Sequence, residues 1–592
     1  MKCDICEIGC QLAEGQTGKC GQYIYQEDGM RELYPDCYLT VCPISIETMP
    51  ILHFHPRGKF MQVSSTGCNF QCPGCVSTVI VREMSPESSA LHNISAEELV
   101  ARAIEEDCQG LAFLMNDPLA SYPSFLRVAK EAKNEGLMVG CSSNAYFTEK
   151  SLQQIIDYLD FINVGIKGNS DASYQYCGAK SAEPVWRNVK ILHEKGVHVE
   201  VSFVFEKGGE EEIMSMAQRL ASISDEIPLQ LMRLIPLEKV DPAREPSIRE
   251  AEVLCRQLRS ILKYVYLFNS PGTDYLSTYC TSCGTEIYQR DFYGPMGAKI
   301  RAQRTSIEGD CPQCGTHLAI SGKGSSTAYQ EGAFQGGYPF TRALEMIEAI
   351  LLAIQVQKQS TVIRVWENLL LEGRLEGLHQ HIQQPESYLE VVRYCGEKSG
   401  HSNEAQDLID YIQSKLQLIE EALSGVESRP RVYYAMGKPL FCIKGERMEN
   451  QLVRIAGGQS VNMQLNCSGR PGMKIDAAQL NQLDPEYIFI SAFLSSSVED
   501  FTASCYQEGI EVEALAKGHI YTHPAPGWDF GSPRWILGLM NIASLLHPER
   551  CHFNVMAEAR EFYQRFYHLD FEANQVNRSF AKPATNWDWE GK

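Results

Sequence analysis

Three cysteines with short, regular spacing are the residues of this sequence best suited to chemistry. Cys68, Cys72 and Cys75 lie in the stretch 66–75, with three and then two residues between them. Three thiolates can bind three irons of a [4Fe–4S] cluster and leave the fourth iron open for a substrate or cosubstrate. A zinc knuckle or a chance arrangement is the alternative for this spacing taken alone. We favour the cluster because a repeating strand and helix pattern follows the loop.

Two further groups of cysteines have the spacing of metal ligands. The N-terminal group predicts one tetrahedral site for zinc or iron, with redox-active or merely buried thiols as the alternative; its members are Cys3, Cys6, Cys10 and Cys20. The later group consists of two Cys-x-x-Cys-Gly knuckles and predicts a zinc ribbon; its members are Cys280, Cys283, Cys311 and Cys314. A closed Zn²⁺ site of this kind is structural and contributes folding free energy rather than chemistry.

The order of the predicted elements places the first cysteine loop at one edge of a sheet. The hydrophobic pattern predicts six strands, at 60–65, 110–115, 137–142, 161–166, 197–204 and 228–234, with helices between them. Such alternation predicts parallel strands joined by right-handed crossovers, and six strands are too few for a closed eight-stranded barrel. The predicted fold class is therefore α/β, with a partial (β/α)6 barrel. Its ligand site should lie at the C-terminal ends of the strands, where the cysteine loop begins.

Residues 1 to about 320 carry an ordered series of motifs that resembles one branch of a known superfamily. The series begins with the N-terminal Cys-x-x-Cys-x-x-x-Cys…Gly-x-Cys-Gly and the loop Gly-Cys-Asn-Phe-x-Cys. It continues with short segments at the strand ends, at 116–118, 143–146, 163–168 and 228–233, and with the paired knuckles. Together these motifs resemble the pyruvate formate-lyase activating enzyme branch of the radical S-adenosylmethionine (SAM) superfamily, and within it the AmmeMemoRadiSam group.

This resemblance implies roles for the residues at matching positions. Cys68, Cys72 and Cys75 would be the catalytic residues that bind the [4Fe–4S] cluster, with SAM at the fourth position. The turn at Asn116 and Asp117 would receive the SAM amino group, which requires a charge-assisted acceptor. Further positions near the ribose or the carboxylate of SAM are Asn144, Asn163, Lys167 and Arg233, and for each of these the alternative is a loop cap or a solvated side chain.

Three positions depart from the family pattern at the expected SAM pocket. Gly74 stands where the family has an aromatic residue that packs on adenine, and Gly165 stands where the family has an aspartate. Asp117 is one methylene shorter than the usual glutamate. These changes leave the cluster ligands intact but reduce the number of side-chain groups available to hold SAM. They favour a rival hypothesis in which the barrel does not catalyse a reaction.

The C-terminal part of the chain predicts a helical region followed by a second α/β unit. The pattern from Arg431 onward resembles the C-terminal lobe of class III solute-binding proteins, the receptors for siderophores and vitamin B12. The resemblance implies that this lobe holds a ligand, such as a metal chelate or a corrinoid-like molecule, or docks a partner. The residues that could line its cleft are Trp528, Asp529, Arg534 and Trp535, although aromatic residues in such a loop are as often packing.

These patterns together predict six segments. They are an N-terminal Cys-rich metal module at 1–55, the partial barrel at 56–270, the zinc ribbon at 271–325, a helical region at 335–428, the binding-protein-like lobe at 429–575 and a tail at 576–592.

Composition argues against several classes of partner. The net charge of −21 argues against nucleic acid, since no basic stripe offsets it. No apolar run reaches the length that spans a bilayer, and no apolar signal region precedes Cys3. Many of the 22 cysteines lie in Cys-x-x-Cys pairs. In a reducing compartment such pairs indicate metal ligands and not disulfides. We therefore expect a cytoplasmic protein without membrane or nucleic acid partners.

Two functional hypotheses from different classes follow. The leading one is a radical SAM enzyme: a low-potential electron donor reduces the cluster, SAM is cleaved to a 5′-deoxyadenosyl radical, and the radical abstracts hydrogen from a small molecule or a partner protein. The rival is a non-catalytic or metallocluster-handling iron–sulfur protein that binds a metal chelate or corrinoid-like ligand through its C-terminal lobe.

Overall fold

The computed structural model describes residues 1–571, apart from 28, 86, 237–239, 305–308, 333–336 and 468–470. The predicted tail at 576–592 therefore lies outside the described residues. The N-terminal part begins with a short antiparallel pair, β1 (Tyr23–Gln26) and β2 (Gly29–Glu32). The strand β3 (Cys37–Tyr38) pairs with β6 (His92–Asn93), which lies beyond the cysteine loop. This pairing ties the N-terminal part to the main sheet.

Eight strands form the main sheet. They are β4 (Thr40–Ser45), β5 (Lys59–Ser64), β7 (Gly110–Phe113), β8 (Met138–Ser143), β9 (Phe161–Ile166), β10 (His198–Phe205), β11 (Leu229–Arg233) and β12 (Val265–Phe268). Their spatial order is β12-β11-β10-β9-β8-β7-β5-β4. All neighbouring pairs are parallel except β4 and β5, which are antiparallel.

Seven helices accompany these strands, as the sequence alternation requires. They are α1 (Ala96–Glu105), α2 (Tyr122–Asn134), α3 (Glu149–Ile155), α4 (Asp171–Tyr176), α5 (Glu183–Glu194), α6 (Glu210–Ala221) and α7 (Ile248–Leu258). Helix α7 begins with a capping box, in which Ser247 and Glu250 satisfy each other's backbone N–H groups. The apolar faces of the helices pack on the sheet in one core that includes Leu99, Phe125 and Val189.

The six predicted strands are present, with bounds that differ by at most two residues. The prediction of six is nevertheless too low, because β4 and β12 join the sheet. Strand β4 contains Pro43, which cannot donate to a ladder and is tolerated here because β4 lies at the edge. Strand β12 is a four-residue apolar run at the opposite edge, too short to be distinguished from a buried helix segment by periodicity.

A small antiparallel sheet and a helical region follow. The sheet contains β13 (Thr278–Tyr279), β14 (Glu286–Phe292) and β15 (Ala298–Gln303). The helices are α8 (Gly337–Ala353), α9 (Gln359–Leu371), α10 (Leu375–His381), α11 (Pro385–Ser399) and α12 (Ser402–Leu423). No helix among the described residues combines the length and the apolar character needed to cross a bilayer.

The C-terminal lobe is an α/β unit with a mixed sheet. Its strands are β16 (Arg431–Ala435), β17 (Phe441–Ile443), β18 (Gln459–Ser460), β19 (Gly472–Lys474), β20 (Tyr487–Ile490) and β21 (Ile520–Thr522). Its helices are α13 (Met448–Ile455), α14 (Ala477–Leu483), α15 (Val498–Gln507), α16 (Glu513–Lys517), α17 (Trp535–Leu546) and α18 (Val555–Phe562). The strand order is β19-β17-β16-β20-β21, and β18 also pairs with β16.

One apolar core joins the helical region to both of its neighbours. It includes Tyr266 of β12, Trp366 of α9, Tyr434 of β16 and Trp535 of α17. Polar contacts also join the C-terminal lobe directly to α7 and to the loop after β12. Lys438 Nζ lies 3.1 Å from an oxygen of Glu252, and the Lys438 N–H donates to the carbonyl of Pro271. The lobe is therefore packed beside the C-terminal end of β12.

Candidate active site

The cysteine loop begins at the C-terminal end of β5, and Asn116 holds its first residues in place. The side-chain oxygen of Asn116 accepts a hydrogen bond from the Ser65 N–H at 2.9 Å, and its amide donates to the Thr66 carbonyl at 3.4 Å. Gly67 has a φ of +85°, and a Cβ at this position would lie 2.8 Å from the Gln22 side chain. The turn therefore requires glycine and lies close to the N-terminal part of the chain.

Asn144, in the loop after β8, connects the first cysteine to its neighbour. Its amide nitrogen donates to the side-chain oxygen of Asn69 at 2.6 Å and lies 3.9 Å from the sulfur of Cys68. The Phe70 N–H donates to the same sulfur at 3.3 Å. Donors aimed at a sulfur stabilise its thiolate form, which is the form that binds metal.

Asp117 follows Asn116 at the end of β7 and is fully buried. One carboxylate oxygen accepts from the Asn144 N–H at 2.7 Å, and the other accepts from the Leu119 N–H at 3.0 Å and from the Ser143 hydroxyl at 3.1 Å. Burial raises the pKa of Asp117, while these hydrogen bonds and Lys167 act in the opposite direction. Asp117 thus links the ends of β7 and β8 beside the cysteine loop.

Lys167 extends from the end of β9 toward the thiols of the cysteine loop and is half-buried. Burial acts to lower the pKa of Lys167, but the thiols of Cys72, Cys177 and Cys75 outweigh it and raise the pKa. A Cβ on Gly165 would lie 3.2 Å from the Lys167 ammonium. The glycine found where the family has an aspartate therefore leaves room for this ammonium.

Cys177 lies beside the loop and was not identified from the sequence. Its carbonyl accepts from the Gln71 N–H at 2.9 Å, and its thiol interacts with that of Cys72. This hydrogen bond, together with burial, raises the pKa of Cys72 and leaves that of Cys177 lowered. No spacing signal marks Cys177, because it lies far along the chain and reaches the loop only through the fold.

The other two residues matched to SAM positions make their hydrogen bonds elsewhere. The amide of Asn163 donates to Gln230 at 2.9 Å, and its oxygen accepts from the Ser202 hydroxyl at 2.8 Å. Arg233 is buried at the end of β11, where it donates to Glu245 at 2.7 Å and to the Asn269 carbonyl at 3.0 Å. Asn163 belongs to a polar network inside the sheet. Arg233 stabilises the loop that follows β12 through its hydrogen bond to Asn269.

The three cysteine groups differ in the distances between their sulfur atoms. Only one group of three or more candidate metal ligands among the described residues has all its ligand atoms within 4.8 Å of one another, and it consists of Cys280, Cys283, Cys311 and Cys314. Its sulfurs are 3.6 Å apart in the pairs Cys280–Cys314 and Cys283–Cys311, as four bonds of about 2.3 Å to one Zn²⁺ require. The sulfurs of Cys68, Cys72 and Cys75 are more widely spread, which fits thiolates that bind separate irons.

The N-terminal cysteines surround a small cavity beside the cysteine loop. Its lining includes Cys3, Cys6, Cys10, Cys20 and also Asn69 of the cysteine loop. Burial is the main cause that raises the pKa of Cys6 to about 12 and of Cys20 to about 11, and the charges of neighbouring thiols add to it. A bound metal would reverse this effect, since a coordinating thiol is deprotonated.

The residues expected to line a cleft in the C-terminal lobe lie in its interior instead. Each of them is 0% exposed: Trp528, Asp529, Arg534 and Trp535. The indole of Trp528 and the guanidinium of Arg534 both donate to the hydroxyl of Tyr563, at 3.4 Å. The C-terminal residues around Tyr563 therefore cover this loop, and of the two alternatives, an open cleft and packing, the structure shows packing.

Comparison with known proteins finds a family match within the part of the chain that forms the main sheet. The sequence model of the Radical SAM superfamily matches residues 63–220. These residues form a radical SAM domain. Such a domain implies an enzyme of the radical SAM type, with a [4Fe–4S] cluster and SAM as its cofactors. An uncharacterized protein of Methanocaldococcus jannaschii is 27% identical over 322 residues, which are 52% of this chain and 94% of the relative.

Solved structures are similar to another part of the chain. A periplasmic solute binding protein from Veillonella parvula is 20% identical over 32% of this chain, with a TM-score of 0.29. The Helicobacter pylori protein Ceue, solved with Ni(II) bound, is 19% identical over 33% of this chain, with a TM-score of 0.28. The chain spans 59% and 61% of their respective lengths.

Proposed function

We propose that the chain reductively cleaves SAM at Cys68, Cys72 and Cys75 and uses the resulting 5′-deoxyadenosyl radical to abstract hydrogen from a small molecule or a partner protein. The observation that carries the proposal is the convergence of the cysteine loop with Asp117, Asn144 and Lys167 at the C-terminal edge of a parallel sheet. The family match to residues 63–220 supports the same site. The cluster would supply the electron for the cleavage of SAM when both are bound.

The residues of this chain would hold and shield the reacting groups. Lys167 is a half-buried positive charge beside the thiols, and it would compensate the negative charge that a thiolate-bound cluster brings. Asn116 fixes the loop, and Asp117 is the buried carboxylate at the position where the family receives the SAM amino group. The segment Val79–Glu83 follows the loop and packs on the helical region, where Gln359 donates to Glu83 at 2.7 Å. This cover would exclude water from a reactive radical.

The experiment that tests the proposal is a search for 5′-deoxyadenosine. The chain is reconstituted anaerobically with iron and sulfide and then incubated with SAM and a low-potential reductant. We expect 5′-deoxyadenosine to form only when SAM, the cluster and the reductant are all present. If an intact, reducible cluster produced none, the rival hypothesis of a non-catalytic iron–sulfur protein would stand.

We propose further that the four knuckle cysteines bind zinc and form the predicted zinc ribbon. The replacement of Cys283 and Cys314 by Ser should remove about one zinc per chain, because the two remaining ligands cannot close the site. The strands around the site should then become sensitive to protease, since the small core beside it contains few other apolar residues, Ile287 and Leu318 among them. Metal analysis and limited proteolysis measure both effects. A variant that kept its zinc would contradict the assignment.

We propose, last, that the C-terminal lobe positions a ligand or partner for the barrel and is not a second catalytic centre. Its attachment beside the end of β12, through Lys438 and Glu252, supports this role. We expect Glu252→Lys to loosen the lobe through like-charge repulsion, and the exchanged pair E252K/K438E to restore it. Limited proteolysis reports the attachment, and 5′-deoxyadenosine formation should be kept in both variants. Equal protease resistance in all three proteins would exclude a role for this pair.

A further inference from the structure

The sulfurs of the four N-terminal cysteines are spaced differently from those of the four knuckle cysteines. Cys3, Cys6, Cys10 and Cys20 all line one cavity, yet no three of them bring their sulfurs within 4.8 Å of one another. A single zinc ion draws four sulfurs to about 4 Å from one another, since each bond is about 2.3 Å long. An iron–sulfur cluster holds its four thiolates farther apart, because each binds a different corner.

Several contacts hold this cysteine set in a fixed position. The Cys3 N–H donates to the Cys10 carbonyl at 2.9 Å, and the Lys19 N–H donates to the Cys10 sulfur at 3.4 Å. A Cβ on Gly18 would lie 3.9 Å from the sulfurs of both Cys10 and Cys20, so the chain at Gly18 passes directly beside them. The four thiols are thus presented around a common space by backbone that is itself hydrogen-bonded.

The cavity also adjoins the cysteine loop of the barrel. Asn69 is part of its lining, and the same side chain accepts from Asn144 and lies 3.8 Å from the sulfur of Cys68. Lys19, another lining residue, donates to the Gly178 carbonyl at 2.6 Å, next to Cys177. One side chain therefore separates the N-terminal cavity from the first ligand of the radical SAM site.

We propose that Cys3, Cys6, Cys10 and Cys20 bind a second iron–sulfur cluster, of the [4Fe–4S] type, that passes single electrons to the cluster at Cys68, Cys72 and Cys75. An external low-potential donor is oxidised by one electron, the N-terminal cluster carries that electron, and the second cluster is reduced by it. The presence of the site is independent of the proposed function, whereas its role as an electron relay rests on it. Cys10 and Cys20 are only half-buried, so a donor can approach the N-terminal cluster from solvent.

Two variants and the full chain test the site without any measurement of activity. The variant C68A/C72A/C75A keeps the N-terminal set, and the variant C10A/C20A keeps the barrel set and the two buried N-terminal cysteines. We expect about eight irons in the full chain and about four in each variant after anaerobic reconstitution, with sulfide in equal amount. We expect zinc to stay near one per chain in all three proteins.

Other metal contents contradict the proposal. No iron in C68A/C72A/C75A, together with about two zincs per chain, would assign the N-terminal set to zinc. Iron in C10A/C20A equal to that of the full chain would show that these cysteines bind no cluster. Neither result bears on 5′-deoxyadenosine formation by the full chain, so a failure here is distinct from a failure of the proposed function.

Electron paramagnetic resonance tests the relay. Two reduced clusters separated by one side chain interact magnetically, so the spectrum of the fully reduced chain should be broadened relative to the sum of the spectra of the two variants. A spectrum equal to that sum would place the clusters too far apart and overturn the relay. In C10A/C20A the remaining signal should still change when SAM is added, whereas in C68A/C72A/C75A it should not.

Discussion

The variant C68A/C72A/C75A is expected to form no 5′-deoxyadenosine above background under conditions in which the full chain forms it. The reason is that these three thiolates are the proposed ligands of the iron that meets SAM, and they lie in the loop that begins at the C-terminal end of β5. Chromatographic detection of 5′-deoxyadenosine after incubation with SAM and reductant is the measurement.

The matched control is Cys37→Ala. Cys37 is a half-buried cysteine in β3, near the loop but outside each of the three cysteine groups. Its carbonyl, which the substitution keeps, accepts from the Ser65 hydroxyl at 2.7 Å. We expect this variant to form 5′-deoxyadenosine at the rate of the full chain. Residual product in the triple variant at more than a trace would show that SAM is cleaved elsewhere.

Cys177 lies beside the cysteine loop, yet no sequence pattern marks it as a site residue. Its thiol interacts with that of Cys72, so a cysteine outside the motif contacts one of the proposed ligands. Sequence spacing detects ligands that are close along the chain, and Cys68, Cys72 and Cys75 are of this kind. Cys177 reaches the loop because the chain after β9 turns back over it, which is a tertiary effect without a local signal.

The residues predicted to contact SAM also differ in how far the sequence pattern predicts their positions. Asn116 and Asp117 lie at the cysteine loop because parallel strands end at one edge, which the alternation of strands and helices predicts. Asn163 and Arg233 lie on predicted strands as well, but side-chain partners decide their roles: Gln230 and Ser202 engage Asn163, and Glu245 engages Arg233. Periodicity gives the element and the face but not these partners.

The C-terminal loop illustrates why exposure is harder to predict than element order. Trp528 and Arg534 lie in a loop rich in proline and glycine, which is typical of a surface connection. They are buried because α18 and the turn that follows it fold back and present Tyr563 to both side chains. The strands of this lobe, by contrast, follow short apolar runs such as 487–490, and β16 lies where the pattern predicts it.

The variant Lys167→Met should bind SAM more weakly than the full chain. Its cluster should also accept an electron less readily. Lys167 is a half-buried cation beside the thiols of Cys72 and Cys75, and its charge also stabilises the ionised form of Asp117. Methionine keeps the length of the side chain but removes the charge, so the buried negative charges lose their compensation. A cation near a cluster favours its reduced form, because reduction adds negative charge.

The expected size of the effect follows from the Coulomb energy. A charge at a distance of about 6 Å in a medium of effective dielectric constant about 20 contributes on the order of 3 kcal/mol, and about 1.4 kcal/mol corresponds to about 59 mV for one electron. We expect the midpoint potential of the cluster to fall by about 60–120 mV after discounting for relaxation. Redox titration followed by electron paramagnetic resonance measures this shift.

The control for Lys167→Met is Lys150→Met, which removes an exposed lysine that pairs with Asp4 on the surface. Exposed pairs contribute little, so neither the potential nor the rate of 5′-deoxyadenosine formation should change. An unchanged potential in Lys167→Met, with a correctly assembled cluster, would mean that this ammonium does not act on the cluster. Lys167→Arg separates charge from geometry: it should recover the potential more fully than the rate, because the planar guanidinium is larger than the ammonium that lies beside Gly165.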